Sequence, residues 1–116
     1  MITSGLCGAQ VNEMSGKKGE DKYLPHFMGH EGYGEVVGIG EGVSKVKVGD
    51  YVILHWRPGT GHGTFGTKYK SVDNVIIGAG PVTTFAEFTI IAENRCSVIE
   101  PDESIAAALP LLGCAV

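Results

Sequence analysis

The chain has 116 residues and a formal net charge of −4, which is the length of one domain that buries a core without cross-links. Its hydrophobic fraction of 43% and mean hydropathy of +0.11 are typical of a globular protein. The acidic balance and the scattered basic residues argue against nucleic acid or an acidic membrane surface as a partner. No run approaches the ~20 apolar residues of a membrane-spanning helix, so a membrane protein is not expected either.

The N-terminus and the cysteine content both favour a cytoplasmic location. Residues Met1–Gly5 lack the basic start and the apolar core of a signal peptide. The three cysteines are odd in number and far apart in the sequence, which argues against a disulfide scaffold. We therefore expect a reducing, cytoplasmic environment.

The first half of the chain predicts short strands joined by glycine-rich turns. Met1–Thr3 has the pattern of the end of a strand, and Ala9–Met14 that of a single helical turn before a polar loop. Apolar runs predict strands over residues 32–40 and 50–56. The 18 glycines are far above the roughly 7% of average usage, which indicates a tightly turning β fold.

One glycine pair in this half invites a nucleotide-binding interpretation that the surrounding sequence excludes. Gly38 and Gly40 match the start of a dinucleotide fingerprint, but no third glycine lies at the right offset and no helix is predicted after the pair. Gly49-Asp50 soon begins another strand instead. We therefore expect no residues in this chain that bind a nicotinamide cofactor.

The second half is predicted to be a long loop followed by two strands and a helix. Residues 57–83 are rich in glycine and proline, and a loop of that length is usually functional or disordered. The patterns of Phe85–Ile91 and Cys96–Ile99 predict strands. A helix is expected from Ile105 to about Leu112, with Asp102 as its N-cap.

The most informative segment is Gly29-His30-Glu31, which is followed by a short apolar strand and by Val48-Gly49-Asp50. This segment resembles the zinc-dependent medium-chain alcohol dehydrogenases, whose N-terminal GroES-like domain carries these motifs in this order. The resemblance extends to Gly5-Leu6-Cys7-Gly8 and to Leu112-Gly113-Cys114. It implies a mostly-β fold, a GroES-like partly open β-barrel with a short C-terminal helix.

The resemblance also implies that Cys7, His30 and Cys114 bind one catalytic zinc ion. Spacing alone would not connect them, because the chain has no Cys-x-x-Cys pair and each residue taken singly is more often structural. Two thiolates and a neutral imidazole balance the charge of Zn²⁺ and leave a fourth tetrahedral position for water or substrate. An alcohol in that position loses its proton more readily and then passes a hydride to a nicotinamide.

Two further residues are candidate catalytic groups. Glu31 corresponds to the family's acidic residue behind the metal, although a salt-bridged carboxylate at a strand edge is an equally good interpretation. His55 follows a strand that ends near the cleft in the family.

Ala9 stands where the family has Thr or Ser, so the first step of the usual proton relay is missing. Either water, Glu31 or His55 replaces it, or the substrate is not a simple alcohol. Gln10 stands in place of an Asp and makes His30 a weaker ligand.

The same comparison predicts how the chain is divided. Residues 57–83 contain no cysteine, so the four-cysteine structural zinc of many family members has no thiolate ligands here. We expect residues 1–103 to be the GroES-like catalytic domain with its first strand clipped. Residues 104–116 would begin a linker helix towards a Rossmann domain that holds NAD or NADP. The chain is thus expected to be a fragment, inactive alone, of a homo-oligomeric enzyme acting on small alcohols or carbonyl compounds.

Two alternatives remain open. A GroES-like protein that binds zinc without catalysis would fit Ala9 and Gln10. A zinc-free quinone-type reductase of the same superfamily is the second alternative, although such enzymes normally lack the cysteine and histidine ligands together.

Overall fold

The structure is a computed structural model, and it describes residues 1–114. The last two residues of the expected linker, 104–116, therefore lie outside the described part. The elements in chain order are β1 (Thr3–Ser4), α1 (Gly8–Met14), β2 (Gly32–Glu35), β3 (Tyr51–Leu54), β4 (Thr67–Lys70), β5 (Ile76–Gly80) and β6 (Cys96–Ile99). Within residues 1–114, every helix is too short or too polar to cross a bilayer.

The strands form two separate antiparallel sheets. The larger sheet has the order β1-β2-β3-β6, and β4 pairs with β5 in the smaller one. Neither sheet closes on itself, which confirms the mostly-β, partly open fold. Strands β2 and β3 are shorter than the predicted ranges 32–40 and 50–56: β2 begins at Gly32 as predicted but ends at Glu35, and β3 covers only Tyr51–Leu54.

Strand β3 is buried on both faces and supplies the centre of the core. Val52 and Leu54 point to one face, where they pack with Val82 and Cys96. Ile53 points to the other face, where the core also contains Tyr33 and Leu109. This alternation is the period of two expected of a strand, and it leaves the end of β3 held between two apolar clusters.

The C-terminal helical segment is present, but it consists of two short 3₁₀ helices in place of the single helix predicted from Ile105 to about Leu112. Residues Glu103–Ile105 and Leu109–Gly113 are 3₁₀ helices. Pro110 has no N–H to donate and lies in the first turn of the second helix, so a continuous α-helical ladder cannot pass through it. Asp102 caps the first helix as predicted, because its side chain accepts a 3.0 Å hydrogen bond from the Ser104 amide.

The prediction of an unstructured loop over residues 57–83 is wrong in its second half. Residues Thr67–Lys70 and Ile76–Gly80 pair as the β4–β5 hairpin. Its turn is closed by a 2.9 Å hydrogen bond from the Ser71 amide to the Val75 carbonyl, and Asn74 adopts a φ of 65° there. Asn tolerates this left-handed conformation better than most residues, so Asn74 is a sequence signal for the hairpin turn. The many glycines around it favour a loop instead, and the hairpin is therefore not predicted.

The predicted strand over Phe85–Ile91 is also wrong. Its backbone groups bond to partners outside a ladder: the Phe85 amide donates to the Met28 carbonyl at 3.1 Å, and the Ile90 amide donates to the Tyr69 hydroxyl at 2.8 Å. The Ile90 carbonyl accepts from the Thr67 hydroxyl at 3.1 Å. These bonds hold the segment against the hairpin without making it a strand.

Glu93 joins three loops through its buried carboxylate. Its Oε2 accepts hydrogen bonds from the Ser44 and Lys45 amides, and its Oε1 accepts one from the His62 amide, each at 2.8 Å. These three backbone donors lower the pKa of Glu93 to about 2. The carboxylate thereby holds the first half of the 57–83 segment in a defined position.

We expect Glu93 to make the stability of the chain sensitive to acid. Its folded-state pKa of about 2 lies below the ordinary value of 4.5, so its contribution is present above about pH 4.5 and is lost as the pH falls towards 2. Urea unfolding of the wild type and of Glu93→Gln should therefore give midpoints that differ near pH 7 and converge at low pH. The exposed Glu41→Gln should match the wild type throughout, and parallel curves for Glu93→Gln and the wild type would contradict this role.

Candidate metal centre

Three side chains that are far apart in the sequence converge at one point. The ligand atoms of Cys7, His30 and Cys114 all lie within 4.8 Å of one another. Nε2 of His30 is 3.0 Å from Sγ of Cys114, and the two sulfur atoms are 4.0 Å apart. Around a tetrahedral zinc ion such ligand atoms are about 3.5–3.8 Å apart, so small adjustments of these side chains would accommodate the ion.

Cys7 and His30 are positioned by the helix and strand that follow them. Cys7 is the N-cap residue of α1, and His30 lies two residues before β2. The Gly5 amide donates to the Glu31 carbonyl at 3.1 Å, which extends the β1–β2 pairing towards the cluster. Gly29 has a φ of +90°, a conformation that favours glycine, and this turn precedes His30.

Cys114 is brought to the cluster by the residue before it. The Trp56 amide, just past the end of β3, donates to the Gly113 carbonyl at 2.9 Å. A Cβ atom on Gly113 would lie 3.0 Å from Cα of Glu31, so the close approach of the two backbones requires a residue without a side chain. The last 3₁₀ helix is thus held against β3 directly before the cysteine.

Gln10 connects two members of the cluster. Its Oε1 accepts a 3.1 Å hydrogen bond from the Cys7 amide, and its Nε2 contacts Nδ1 of His30. An amide NH₂ that donates to Nδ1 places the proton of a neutral imidazole on Nε2. That is the nitrogen facing Cys114, and it must lose its proton to bind a metal.

The two predicted catalytic residues lie in different surroundings. Glu31 is buried at 3% exposure, and among the described residues no cation lies within salt-bridge distance of it. Its charge is close enough to contribute to the pKa of Cys114. His55 is not brought to the cluster: its Nδ1 is 2.5 Å from the Arg57 carbonyl, and its Nε2 is 3.1 Å from the Ser97 hydroxyl.

The surroundings of Cys114 disfavour its thiolate form. Partial burial, the hydrogen bond with Cys7 and the charges of Cys7 and Glu31 raise the pKa of Cys114. A bound divalent cation would reverse this balance, because it favours the thiolate over the thiol. Cys96 differs: it is buried away from the cluster, and burial raises its pKa to about 11.

The cluster forms part of the wall of a cavity of about 870 Å³. The Trp56 ring lies 5.7 Å from the His30 ring and also lines this cavity. The remaining apolar walls come from Leu24, Phe27, Met28, Ile76 and Val82. A largely apolar cavity with some polar groups in its wall is the usual form of a small-molecule site.

Two cavity residues were not predicted from the sequence. Glu13 and His26 line the same space as the cluster, and Asp21 bonds to His26. His26 precedes His30 by four residues, which is the only sequence signal that could have drawn attention to it. No motif connects it with Glu13 or Asp21.

The comparisons with known proteins identify a family. The family described as "Alcohol dehydrogenase GroES-like domain" matches residues 1–101. An S-(hydroxymethyl)glutathione dehydrogenase from Aspergillus oryzae is 29% identical over 100% of this chain and 36% of its own length. An alcohol dehydrogenase class-3 from Dictyostelium discoideum is 31% identical over the same shares. An S-(hydroxymethyl)glutathione dehydrogenase from Photobacterium damsela is 31% identical over 97% of this chain and 37% of its own.

Family membership follows from these matches. A GroES-like domain of the alcohol dehydrogenase type is the class that the fold and the matched residues define. The chain belongs to the zinc-dependent medium-chain alcohol dehydrogenase family. It spans little more than a third of the length of these curated relatives. No solved structure matches the chain significantly.

We expect Gly29→Ala to destabilise the fold and displace His30. The left-handed backbone alone costs an alanine roughly 1–2 kcal/mol, and the added Cβ would also lie 2.9 Å from the Phe85 amide nitrogen. Urea unfolding should show the loss of stability. Gly40→Ala is the matched control, because nothing lies within 4 Å of a Cβ at that position. Equal stability of the two variants would contradict the role of Gly29.

We expect Gln10→Glu to strengthen zinc binding. A carboxylate accepts from both the Cys7 amide and an Nδ1 proton of His30, and so leaves Nε2 free for the metal. Changes in such supporting partners typically alter metal affinity by about 10–100-fold, so a gain of about tenfold is expected in a chelator competition assay. Asn12→Asp adds the same charge on the exposed side of α1 and should leave the affinity unchanged. An equal gain in zinc affinity in both variants would mean that the added negative charge alone, and not the contact with His30, strengthens zinc binding.

Proposed function

We propose that this chain is the catalytic domain of a zinc-dependent, NAD(P)-linked dehydrogenase that interconverts small alcohols and their carbonyl compounds. The observation that carries the proposal is the convergence of Cys7, His30 and Cys114 at the wall of a largely apolar cavity. The names of the relatives support the reaction type. Because the chain covers about a third of their length, the activity of the whole protein is part of the proposal.

The donor set fits a catalytic rather than a structural zinc ion. Cys7 and Cys114 offer two thiolates and His30 one imidazole, which leaves one tetrahedral position without a protein ligand. When zinc is bound, it supplies a Lewis acid that lowers the pKa of a hydroxyl group in that open position. No fourth cysteine, histidine or carboxylate completes this group among the described residues.

The other residues of the site orient the ligands and the substrate. Gln10 holds the His30 ring and the Cys7 backbone together, which sets the direction of both ligands. The Trp56 ring beside His30 and the apolar walls give the carbon skeleton of a substrate an apolar surface to pack against. Glu31 is buried, and its negative charge is close enough to affect Cys114.

We propose that water in the cavity accepts the proton of the substrate hydroxyl. Ala9 lines the cavity but has no hydroxyl group to pass a proton on. Both ring nitrogens of His55 are engaged with Arg57 and Ser97, so the ring would have to turn before it could act as a relay. Water in an open cavity needs no such rearrangement.

The Gly38–Gly40 segment does not fit the phosphate-binding turn of a dinucleotide site. The segment after Gly40 is a turn rather than a helix, so it offers no helix N-terminus to a pyrophosphate. We propose that residues 1–103 form the catalytic domain and that residues 104–116 lead to a Rossmann domain that binds NAD or NADP in a homo-oligomeric whole protein. Free thiols as ligands are consistent with a cytoplasmic location.

Elemental analysis of the purified chain tests the metal site. We expect about one zinc ion per chain after dialysis against a mild chelator, and a loss of most of it in Cys7→Ser, His30→Ala or Cys114→Ser, since two protein ligands hold zinc weakly. Cys96→Ala is the control, because that thiol is buried elsewhere and should not affect zinc content. Equal zinc content in Cys114→Ser and the wild type would remove Cys114 from the ligand set.

The whole protein then tests the reaction. Zinc-dependent oxidation of a panel of alcohols with NAD or NADP would support the proposal. A zinc-loaded whole protein without activity on the panel would favour the non-catalytic zinc-binding alternative. A metal-free whole protein that reduces quinones would favour the reductase alternative.

A further inference from the structure

A second group of metal-ligating side chains lies outside the Cys7–His30–Cys114 cluster. The ligand atoms of Glu13, Asp21 and His26 all lie within 4.8 Å of one another. Nε2 of His26 is 2.6 Å from Oδ2 of Asp21 and 3.5 Å from Oε1 of Glu13. Neither the family resemblance nor the proposed reaction uses these residues.

Hydrogen bonds to the backbone orient the ring and one of the carboxylates. Nδ1 of His26 is 2.8 Å from the Phe27 carbonyl and must donate to it, because a carbonyl only accepts. Nε2 faces the two carboxylates and shares a hydrogen bond with Oδ2 of Asp21, so a metal ion would replace the proton between these two atoms. Oδ1 of Asp21 accepts from the Tyr23 amide at 2.9 Å, and its Oδ2 is directed at His26. A backbone partner on the second ring nitrogen is the usual arrangement of a metal-binding histidine.

The group is assembled from three separate segments. Glu13 belongs to the last turn of α1, and Asp21 belongs to the polar loop that follows the helix. His26 lies between two backbone contacts to β5: the Gly78 amide donates to the Pro25 carbonyl at 3.0 Å, and the Phe27 amide donates to the Gly78 carbonyl at 2.7 Å. The position of the imidazole is therefore set by the hairpin and not by the loop.

Burial and charge favour a cation at this point. The exposed fractions of the side chains are 14% for His26, 17% for Asp21 and 32% for Glu13. Two carboxylates beside a neutral imidazole carry a charge of −2, which one divalent cation balances, whereas protonation of His26 balances only half of it.

We propose that Glu13, Asp21 and His26 form a second metal site, which binds a divalent transition-metal ion such as Mn²⁺ or Co²⁺. Two carboxylates and one imidazole make it a harder site than the thiolate cluster, so the two sites differ in metal preference. Glu13 and His26 line the same cavity as that cluster, which leaves room for water to complete the coordination. A bound ion would tie the polar loop to α1 and β5.

Titration of the metal-free, reduced chain with Co²⁺ tests the site. Binding at the thiolate cluster produces a sulfur-to-cobalt charge-transfer band, whereas binding by carboxylates and imidazole does not. We expect the wild type to bind a further equivalent of Co²⁺ without any increase in that band. Asp21→Asn and His26→Gln should weaken this second binding by about tenfold or more, since each removes a ligand. Glu20→Gln, an exposed acidic residue of the same loop, should leave it unchanged.

The charge-transfer band also reports whether a variant is folded, because it requires the assembled thiolate cluster. Cys7→Ser should weaken the first binding and leave the second, so failure of the second site is distinguishable from failure of the proposed catalytic site. Binding of Co²⁺ only at the thiolate cluster in the wild type would overturn the proposal. A second equivalent that persists in both Asp21→Asn and His26→Gln would overturn it as well.

Discussion

The contact between the last 3₁₀ helix and the end of β3 is the constraint on which the candidate metal centre depends. The Trp56 amide binds the Gly113 carbonyl, and the missing side chain of Gly113 lets that backbone approach Glu31. Leu109, four residues earlier, packs into the core cluster with Tyr33 and Ile53. Apolar burial therefore secures the segment, and one hydrogen bond sets its final position. Without this contact, Cys114 would have no defined relation to residues at the opposite end of the chain.

The strands that could be predicted from the sequence are those with a short apolar run between polar residues. Strands β3 and β6 have short apolar runs bounded by polar residues, and both lie where the sequence predicts them. The β4–β5 hairpin was missed because glycines around it suggested a loop, although Ile76 and Ile77 are typical strand residues. The error over Phe85–Ile91 has the opposite origin. Its pattern suits a strand, but its backbone groups find partners in side chains and loops, which no local pattern reveals.

In the candidate site, too, the residues that lie in sequence motifs could be predicted, whereas those brought together only by tertiary contacts could not. Cys7, His30 and Cys114 could be named because each lies in a short motif that resembles a known family, and the structure brings these three together. The orientation of His55 towards Ser97 depends on pairing between two strands, which the sequence alone does not reveal, and its catalytic role stays a prediction. Glu13, Asp21 and His26 belong to no motif, and only the docking of a loop against the hairpin places them side by side.

The separation of the ligands along the chain has a consequence for the unfolded state. Cys7 and Cys114 are 107 positions apart, so an ion held by both would close a loop that contains nearly the whole chain. By the chain-entropy estimate used for disulfides, closing a loop of this length lowers the entropy of the denatured ensemble by an amount worth about 4–5 kcal/mol. Any ion that an unfolding chain retained on both cysteines would therefore limit how far its two ends could separate. Such a metal centre would act on folding as a reversible cross-link. Its formation would depend on metal concentration, whereas that of a disulfide depends on oxidation.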